Sequence, residues 1–316
     1  MHRRRLARPY RDAGRGSIPT FPVTKRALCA WCVVAVFNWL TARECVYRFI
    51  PRQLKELRRS RVNWEMKLQQ ARLSQKYIFD HGKVHVYAIT LVRTPYRAAR
   101  LLSSASAQGL SVSIFTAIDG LEPFNSTDVH KYAGEKRRIA LTATSLLRSD
   151  QLRTLYDAYE SHQLSENQRV LLHERLRFAC YLSHVRLWEK LLKNDWPFLV
   201  ILEDDVELVR NFSNAAALAL SEAPQFWDVI YLNGCLQYFG GQLGRYLVLS
   251  RGGLCTFGYM ISHKGALHFN KHGLLRSDKP IDHLIDQEVS SGKLFAFHTI
   301  PALVSKVNIK TTLAYA

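Results

Sequence analysis

The decapeptide at residues 198–207, FLVILEDDVE, most constrains what this chain can fold into. Five apolar residues in a row, preceded by Pro197, read as a strand buried on both faces. Proline is tolerated at a strand's start, where a missing ladder donor matters least. Three carboxylates follow at once: Glu203, Asp204 and Asp205. Side by side they repel, and each resists ionising near the others. A hard divalent cation such as Mg²⁺ or Mn²⁺ relieves that conflict, because carboxylate oxygens suit it. Strand alternation puts Glu203 and Asp205 on one side and Asp204 on the other. Glu203 and Asp205 are therefore the candidate metal ligands. The end of a buried parallel strand is also where open α/β sheets hold ligands. The plain alternative is a solvated acidic turn.

Charge divides the 316 residues unevenly. Residues 1–76 hold 18 Lys/Arg against four acids, whereas the remaining 240 hold 26 against 22. The net charge of +18 thus belongs mostly to an N-terminal extension, which argues against nucleic acid as the partner of the body. Residues 1–26 read as a basic disordered tail. Residues 27–42 form an uncharged apolar run of 16, and residues 27–50 are the candidate signal-anchor helix. The implied protein is single-pass, with residues 77–316 in a secretory lumen if the source is eukaryotic. The alternatives are an organelle transit peptide and a helix buried in the body. Residues 51–76 read as a basic helical stalk, lying on a membrane surface or spacing the body from its anchor.

The body opens with a strand at 84–91, a helix from Pro95 to about residue 108 carrying Arg97 and Arg100, and a strand at 112–118 closed by Asp119-Gly120. That is a βαβ unit of a nucleotide-binding type of sheet. No glycine-rich phosphate loop occurs, so a nucleotide's phosphates must be met by a metal or by side chains such as Arg93 and Arg97. Residues 121–173 are polar and mostly helical in character. Asn125-Ser126-Thr127 and Asn211-Phe212-Ser213 are glycosylation sequons, meaningful only in a secretory lumen. Residues 177–193 form an amphipathic helix. By spacing alone, His184 reads as a hydrogen-bonded core histidine, with a catalytic role as the alternative. Further strands are expected at 228–232, 246–249 and 255–261, with a helix opening after Ser262. Asp282, a candidate helix N-cap, is followed by Asp286 and Glu288. His298 and Pro301 begin a C-terminal tail. Cys180, Cys235 and Cys255 are an odd set, against a full disulfide framework, and Cys29/Cys32 lack the partner pair zinc would need.

Over about residues 84–305 the chain resembles glycosyltransferase family 25, the bacterial lipopolysaccharide-type and procollagen galactosyltransferases. The resemblance is carried, in order, by ITLVR at 89–93 with Arg97, FTAIDG at 115–120, CYLSH at 180–184, the acidic cluster within 199–206, TFGYMIS at 256–262 with Gly265-Ala266, and Pro280-Ile281-Asp282. Where family members tend to have a glutamate and a glycine before the cysteine, this chain has Arg177 and Ala179. The resemblance implies an α/β fold of GT-A type. It implies metal-dependent transfer of galactose or glucose from a UDP-sugar to a hydroxyl of a glycan, lipopolysaccharide or hydroxylysine acceptor. Asp205 would bind Mn²⁺ (or Mg²⁺), with Glu203 and Asp204 on the ribose, donor sugar or metal water. Leu91, Arg93, Arg97, Asp119 and Gly120 would surround the uridine and phosphates. Asp282 would be the catalytic base, with Asp286 behind it, and His184 becomes a candidate site residue. The rival readings are a catalytically silent relative that binds sugar or a partner, and a basic surface binder using residues 1–76.

Overall fold

The structure, a computed structural model, describes residues 84–307. The tail, anchor and stalk readings all fall outside these residues. Among the described residues no helix is long and apolar enough to cross a membrane.

In chain order the elements are β1 (His85–Thr90), α1 (Pro95–Ser106), β2 (Ser113–Thr116), α2 (Ser126–Tyr132), α3 (Glu135–Ala143), α4 (Ser149–Glu160) and α5 (Glu166–Lys193). Then come β3 (Phe198–Glu203), β4 (Val206–Leu208), α6 (Phe212–Glu222), β5 (Val229–Tyr231), β6 (Leu236–Gln242), β7 (Leu247–Leu254) and β8 (Gly258–Ser262). The chain ends with α7 (His263–Lys271), α8 (Ile281–Ser290), β9 (Ala296–Thr299) and β10 (Val304–Lys306). Eight strands make one mixed sheet in the order β2-β1-β3-β8-β5-β9-β7-β6, and β10 pairs with β4 in a small second sheet. β1 is parallel to both β2 and β3, as the βαβ reading requires.

β3 lies inside the sheet because its residues suit burial on both faces. Leu199, Val200, Ile201 and Leu202 are wholly buried, each contributing about 1.5–3 kcal/mol of apolar burial. Alternation sends Leu199 and Ile201 to a core shared with Tyr181, Val185 and Trp188 of α5. Val200 and Leu202 face the opposite core, with Leu101 of α1 and Phe212 and Leu220 of α6.

Three departures from the sequence reading have physical causes. Helix α5 begins at Glu166, not near residue 177. Ser165 caps it, its hydroxyl accepting from the Gln168 backbone N–H while the Gln168 side chain accepts from the Ser165 N–H. The early turns of α5 pack only against a small satellite cluster with Leu121 and Leu152, so their periodicity is weak. Residues around His298 are not a tail: β9 is fully buried between β5 and β7. Asp282 is not an N-cap; that position is Pro280, and Asp282 lies in the first turn of α8. Both sequon asparagines sit exposed at helix starts, preceding α2 and α6.

Two of the three body cysteines pair: Cys235, before β6, is bonded to Cys255, after β7, leaving Cys180 as a thiol. The bond pins the outermost hairpin of the sheet across a sequence separation of 20. Replacing both cysteines with serine is expected to cost about 3 kcal/mol, the loop-closure value for that length. Urea denaturation of the oxidised and reduced protein reads it: the midpoint should drop on reduction and be insensitive to reductant in the double variant.

Candidate active site

The carboxyl ends of β1, β2 and β3 point the same way, and a cleft opens beyond them. Leu91 and Arg93 come from the β1–α1 connection, Arg97 from the first turn of α1, Ile118, Asp119 and Gly120 from the loop after β2, and Glu203, Asp204 and Asp205 from the end of β3. The back wall is α5, through Leu176, Ala179, Cys180, Ser183 and His184. Lys306 of β10 completes the rim. Nine of the eleven predicted site residues therefore share one cleft. Its position, outside the carboxyl ends of parallel strands, is the usual ligand position of an open α/β sheet.

The three carboxylates have different surroundings. Asp204 turns toward α1: the Thr90 hydroxyl donates to it at 2.6 Å and the Arg97 guanidinium lies 3.6 Å away. Burial raises the Asp204 pKa, against the pull of Thr90 and Arg97. With both oxygens engaged, Asp204 secures the strand end. Glu203 turns toward α5, where its Oε1 lies 3.7 Å from His184 Nε2, too long for a hydrogen bond. Asp205 Oδ2 lies 3.5 Å from Lys306 Nζ, and its backbone carbonyl accepts from Val307 N–H. Burial, then the neighbouring Glu203, push the Asp205 carboxyl up to about 6. Glu203 Oε1 and Asp205 Oδ1 are both buried without a hydrogen-bond partner. Two unsatisfied anionic oxygens in one cleft fit a bound cation, since buried carboxylates are otherwise paired.

The opposite lip is basic. Arg93 Nε donates to Asp119 Oδ2 at 2.9 Å, and its guanidinium lies 5.1 Å from the centre of the Tyr156 ring. Asp119 Oδ1 accepts from Leu121 N–H, which shapes the loop. Gly120 has a packing reason: a Cβ there would meet Leu176 Cα at 3.0 Å and the Arg175 carbonyl at 3.1 Å. The buried Arg175 donates to the Gly120 and Glu122 carbonyls and fastens that loop, and burial lowers its own pKa to about 10. Ser183, a residue not singled out from sequence, accepts from Ile118 N–H and docks the β2 loop onto α5.

Asp282 and Asp286 do not line the cleft. Asp282 accepts from the backbone N–H of Cys255 and of His283, and Asp286 accepts from Gly253 N–H. Both hold the β7–β8 connection against α8, although the charge of Asp282 reaches Cys180 in the cleft wall. Glu288 is closed off by His268 at 2.8 Å and Lys293 at 3.2 Å. Burial and the carboxylates of Glu203, Asp282 and Asp205 push the Cys180 thiol well up, so it stays protonated and is no nucleophile.

The model of glycosyltransferase family 25 (LPS biosynthesis protein) matches residues 83–239, which span β1 to β6 and hold every part of the cleft except Lys306. The chain belongs to glycosyltransferase family 25. It is 24% identical over 241 residues to a glycosyltransferase 25 family member of Aedes aegypti, covering 74% of this chain and 35% of that protein. It is 29% identical over 160 residues to the inactive glycosyltransferase 25 family member 3 of Mus musculus, covering 50% of this chain and 23% of that protein. To human procollagen galactosyltransferase 2 it is 22% identical over 160 residues, 50% of this chain and 22% of that protein. The family 25 chain thus spans about a third or less of the length of these relatives. Its departures from the family motif lie on α5: Arg177 pairs with Glu174 at the surface, while Ala179 puts a methyl group into the cleft wall.

Proposed function

We propose that the chain is a GT-A type transferase that binds a UDP-hexose, galactose or glucose, with Mn²⁺ or Mg²⁺ at the acidic turn and passes the sugar to a hydroxyl of a glycan, lipopolysaccharide or hydroxylysine acceptor. The single observation that carries this reading is the pair of unpartnered buried oxygens, Glu203 Oε1 and Asp205 Oδ1, in a cleft at the ends of three parallel strands. Glu203 and Asp205 would hold the cation, whose charge would offset that of the departing UDP. Arg93 and Arg97 would supply positive charge toward the diphosphate, and Leu91 and the Asp119-Gly120 loop would border the uridine. Asp204 and Thr90 keep the strand end in register beneath them. An inverting transfer needs a carboxylate to take the acceptor hydroxyl's proton. Asp282, the base the family resemblance implies, is held outside the cleft by the Cys255 and His283 N–H groups, so we do not assign it that role. The Cys235–Cys255 bond favours an oxidising compartment, in keeping with a lumenal body behind an N-terminal anchor.

A second reading is favoured by the name of the mouse relative, an inactive family member: a silent domain that binds the donor without turnover. Incubation of the full chain with UDP-galactose or UDP-glucose, Mn²⁺ and a panel of hydroxyl acceptors separates the two. The proposal expects acceptor-dependent UDP release that stops on chelation. Tight UDP binding with no release for any acceptor supports the silent domain.

A further inference from the structure

Behind the acidic turn, His184 of the CYLSH motif, Tyr259 of TFGYMIS and Trp188, which no motif includes, form a chain of hydrogen bonds. Trp188 Nε1 donates to the Tyr259 hydroxyl at 2.9 Å, and that hydroxyl lies 3.0 Å from His184 Nδ1. All three residues are at most 1% exposed. Trp188 comes from α5, one turn after His184, and Tyr259 comes from β8, paired with Ile201 of β3. His184 Nε2 faces Glu203 Oε1 across 3.7 Å, and neither atom has a hydrogen-bond partner.

The donor inventory fixes the direction of the chain. Indole N–H only donates, so the Tyr259 oxygen is the acceptor in the first bond. A phenol carries one proton, and burial holds the Tyr259 hydroxyl firmly in its protonated form. That proton needs an acceptor, and His184 Nδ1 is the atom in reach. Nδ1 must then be the bare nitrogen, and the imidazole proton must sit on Nε2, facing Glu203. The opposite tautomer would aim two N–H groups at one hydroxyl and leave the tyrosine proton buried without a partner.

We propose that Trp188 and Tyr259 are positioning residues for the acidic turn: they lock His184 as its neutral Nε2–H tautomer and aim that N–H at Glu203 Oε1. Oε1 carries two lone pairs, so it can accept that N–H with one and leave the other for a cation in the cleft. The 3.7 Å gap is of the kind that closes when a ligand draws the carboxylate into place. The functional meaning of the relay rests on the reading of the acidic turn as the donor site, but the tautomer does not. The relay also bears on a second use of the same corner. Cys180 Sγ, a ring nitrogen of His184 and a Glu203 oxygen lie within 4.8 Å of one another, a spacing that a zinc-type ion would accept. Metal-bound histidines typically present their other N–H to a carboxylate, carbonyl or water. Here the other nitrogen meets a hydroxyl already oriented as a donor, so the relay opposes metal at His184.

Nitrogen-15 NMR of histidine-labelled full-length protein tests this without substrate. The His184 signals, assigned by their absence in His184→Gln, should show a bare Nδ1 and a protonated Nε2 in the wild type. A protonated Nδ1, or a His184 signal that shifts with one equivalent of Zn²⁺ added alone, would overturn the proposal. In Tyr259→Phe the lock should be lost: kcat of sugar transfer should fall about 10–100-fold, the range for a supporting-shell group, with the Kd of UDP changed less than about threefold. Trp188→Phe should give a smaller fall of the same kind. Equal loss of UDP binding and kcat would show a merely structural role and overturn the positioning claim. A wild type with the expected tautomer but no transfer activity would count against the transferase reading and leave the relay standing.

Discussion

Asp205→Asn is expected to remove metal-dependent UDP binding while making the metal-free protein more stable. Asp205 is buried beside Glu203, and its carboxyl is pushed up to about 6, first by burial and then by that neighbour. A carboxylate whose folded pKa lies above its unfolded value stabilises the fold only when protonated. That contribution is present below about pH 4 and is lost as pH rises to 6, so at pH 7 the charged group is a net cost. The cost is at most about 3 kcal/mol, the full two-unit shift, which already carries the opposing pull of Lys306. Asparagine keeps the shape and removes the charge, so thermal unfolding in EDTA should move up by roughly 2–8 °C. With Mn²⁺ present, UDP affinity should fall at least about 100-fold, roughly 2.7 kcal/mol, because a cation ligand is gone. In the wild type the same metal-dependent affinity should weaken as pH falls through about 6, where Asp205 takes up its proton. A variant that loses stability in EDTA, or binds UDP unchanged, would mean that Asp205 serves the fold instead of a cation.

Arg97→Met is expected to be the most destabilising substitution in the cleft. The Arg97 side chain is 4% exposed and lies 3.6 Å from Asp204, itself buried beneath the strand end. Deleting one partner of a buried pair leaves an uncompensated charge, a cost of about 3–5 kcal/mol. Urea denaturation at pH 7 should show that loss. At pH 4 the deficit should shrink, because Asp204, whose pKa burial already raises, can shed its charge by protonation. The double variant Arg97→Met/Asp204→Asn should recover most of the stability, Thr90 still having an oxygen to donate to. A loss below about 1 kcal/mol, within the range of exposed pairs, would show that the pair does not hold the β1 and β3 ends together.

The parts of the molecule that rest on local pattern were legible in the sequence. The apolar run before Glu203 had to be an interior strand, and the segment holding Pro95 and Arg97 had to be the crossover of a parallel pair. Alternation also foretold that Asp204 would face away from Glu203. What stayed hidden depends on long-range pairing. Lys306 reaches Asp205 only because β10 pairs with β4, about a hundred residues earlier in the chain. The Cys235–Cys255 bond joins two of three cysteines, and an odd count does not say which two. β9 is only four residues long, too short for a period to register, yet it lies fully buried in the sheet. His184, by its spacing a core histidine, is wholly buried and also forms part of the cleft wall. Its direction toward Glu203 comes from Tyr259, which only the β3–β8 register brings alongside. Asp282 and Asp286 stand out in the sequence as acids after a proline, and the structure spends them on the backbone N–H groups of Cys255 and Gly253 at the end of β7.

Calorimetric titration of UDP into the full-length wild-type protein, once with Mn²⁺ and once with EDTA, tests the central claim most directly. The account predicts one site per chain with Mn²⁺ and a loss of about 100-fold or more in affinity with EDTA. Equal binding in both titrations, or none in either by a folded protein, would contradict a cation-dependent nucleotide site at Glu203 and Asp205.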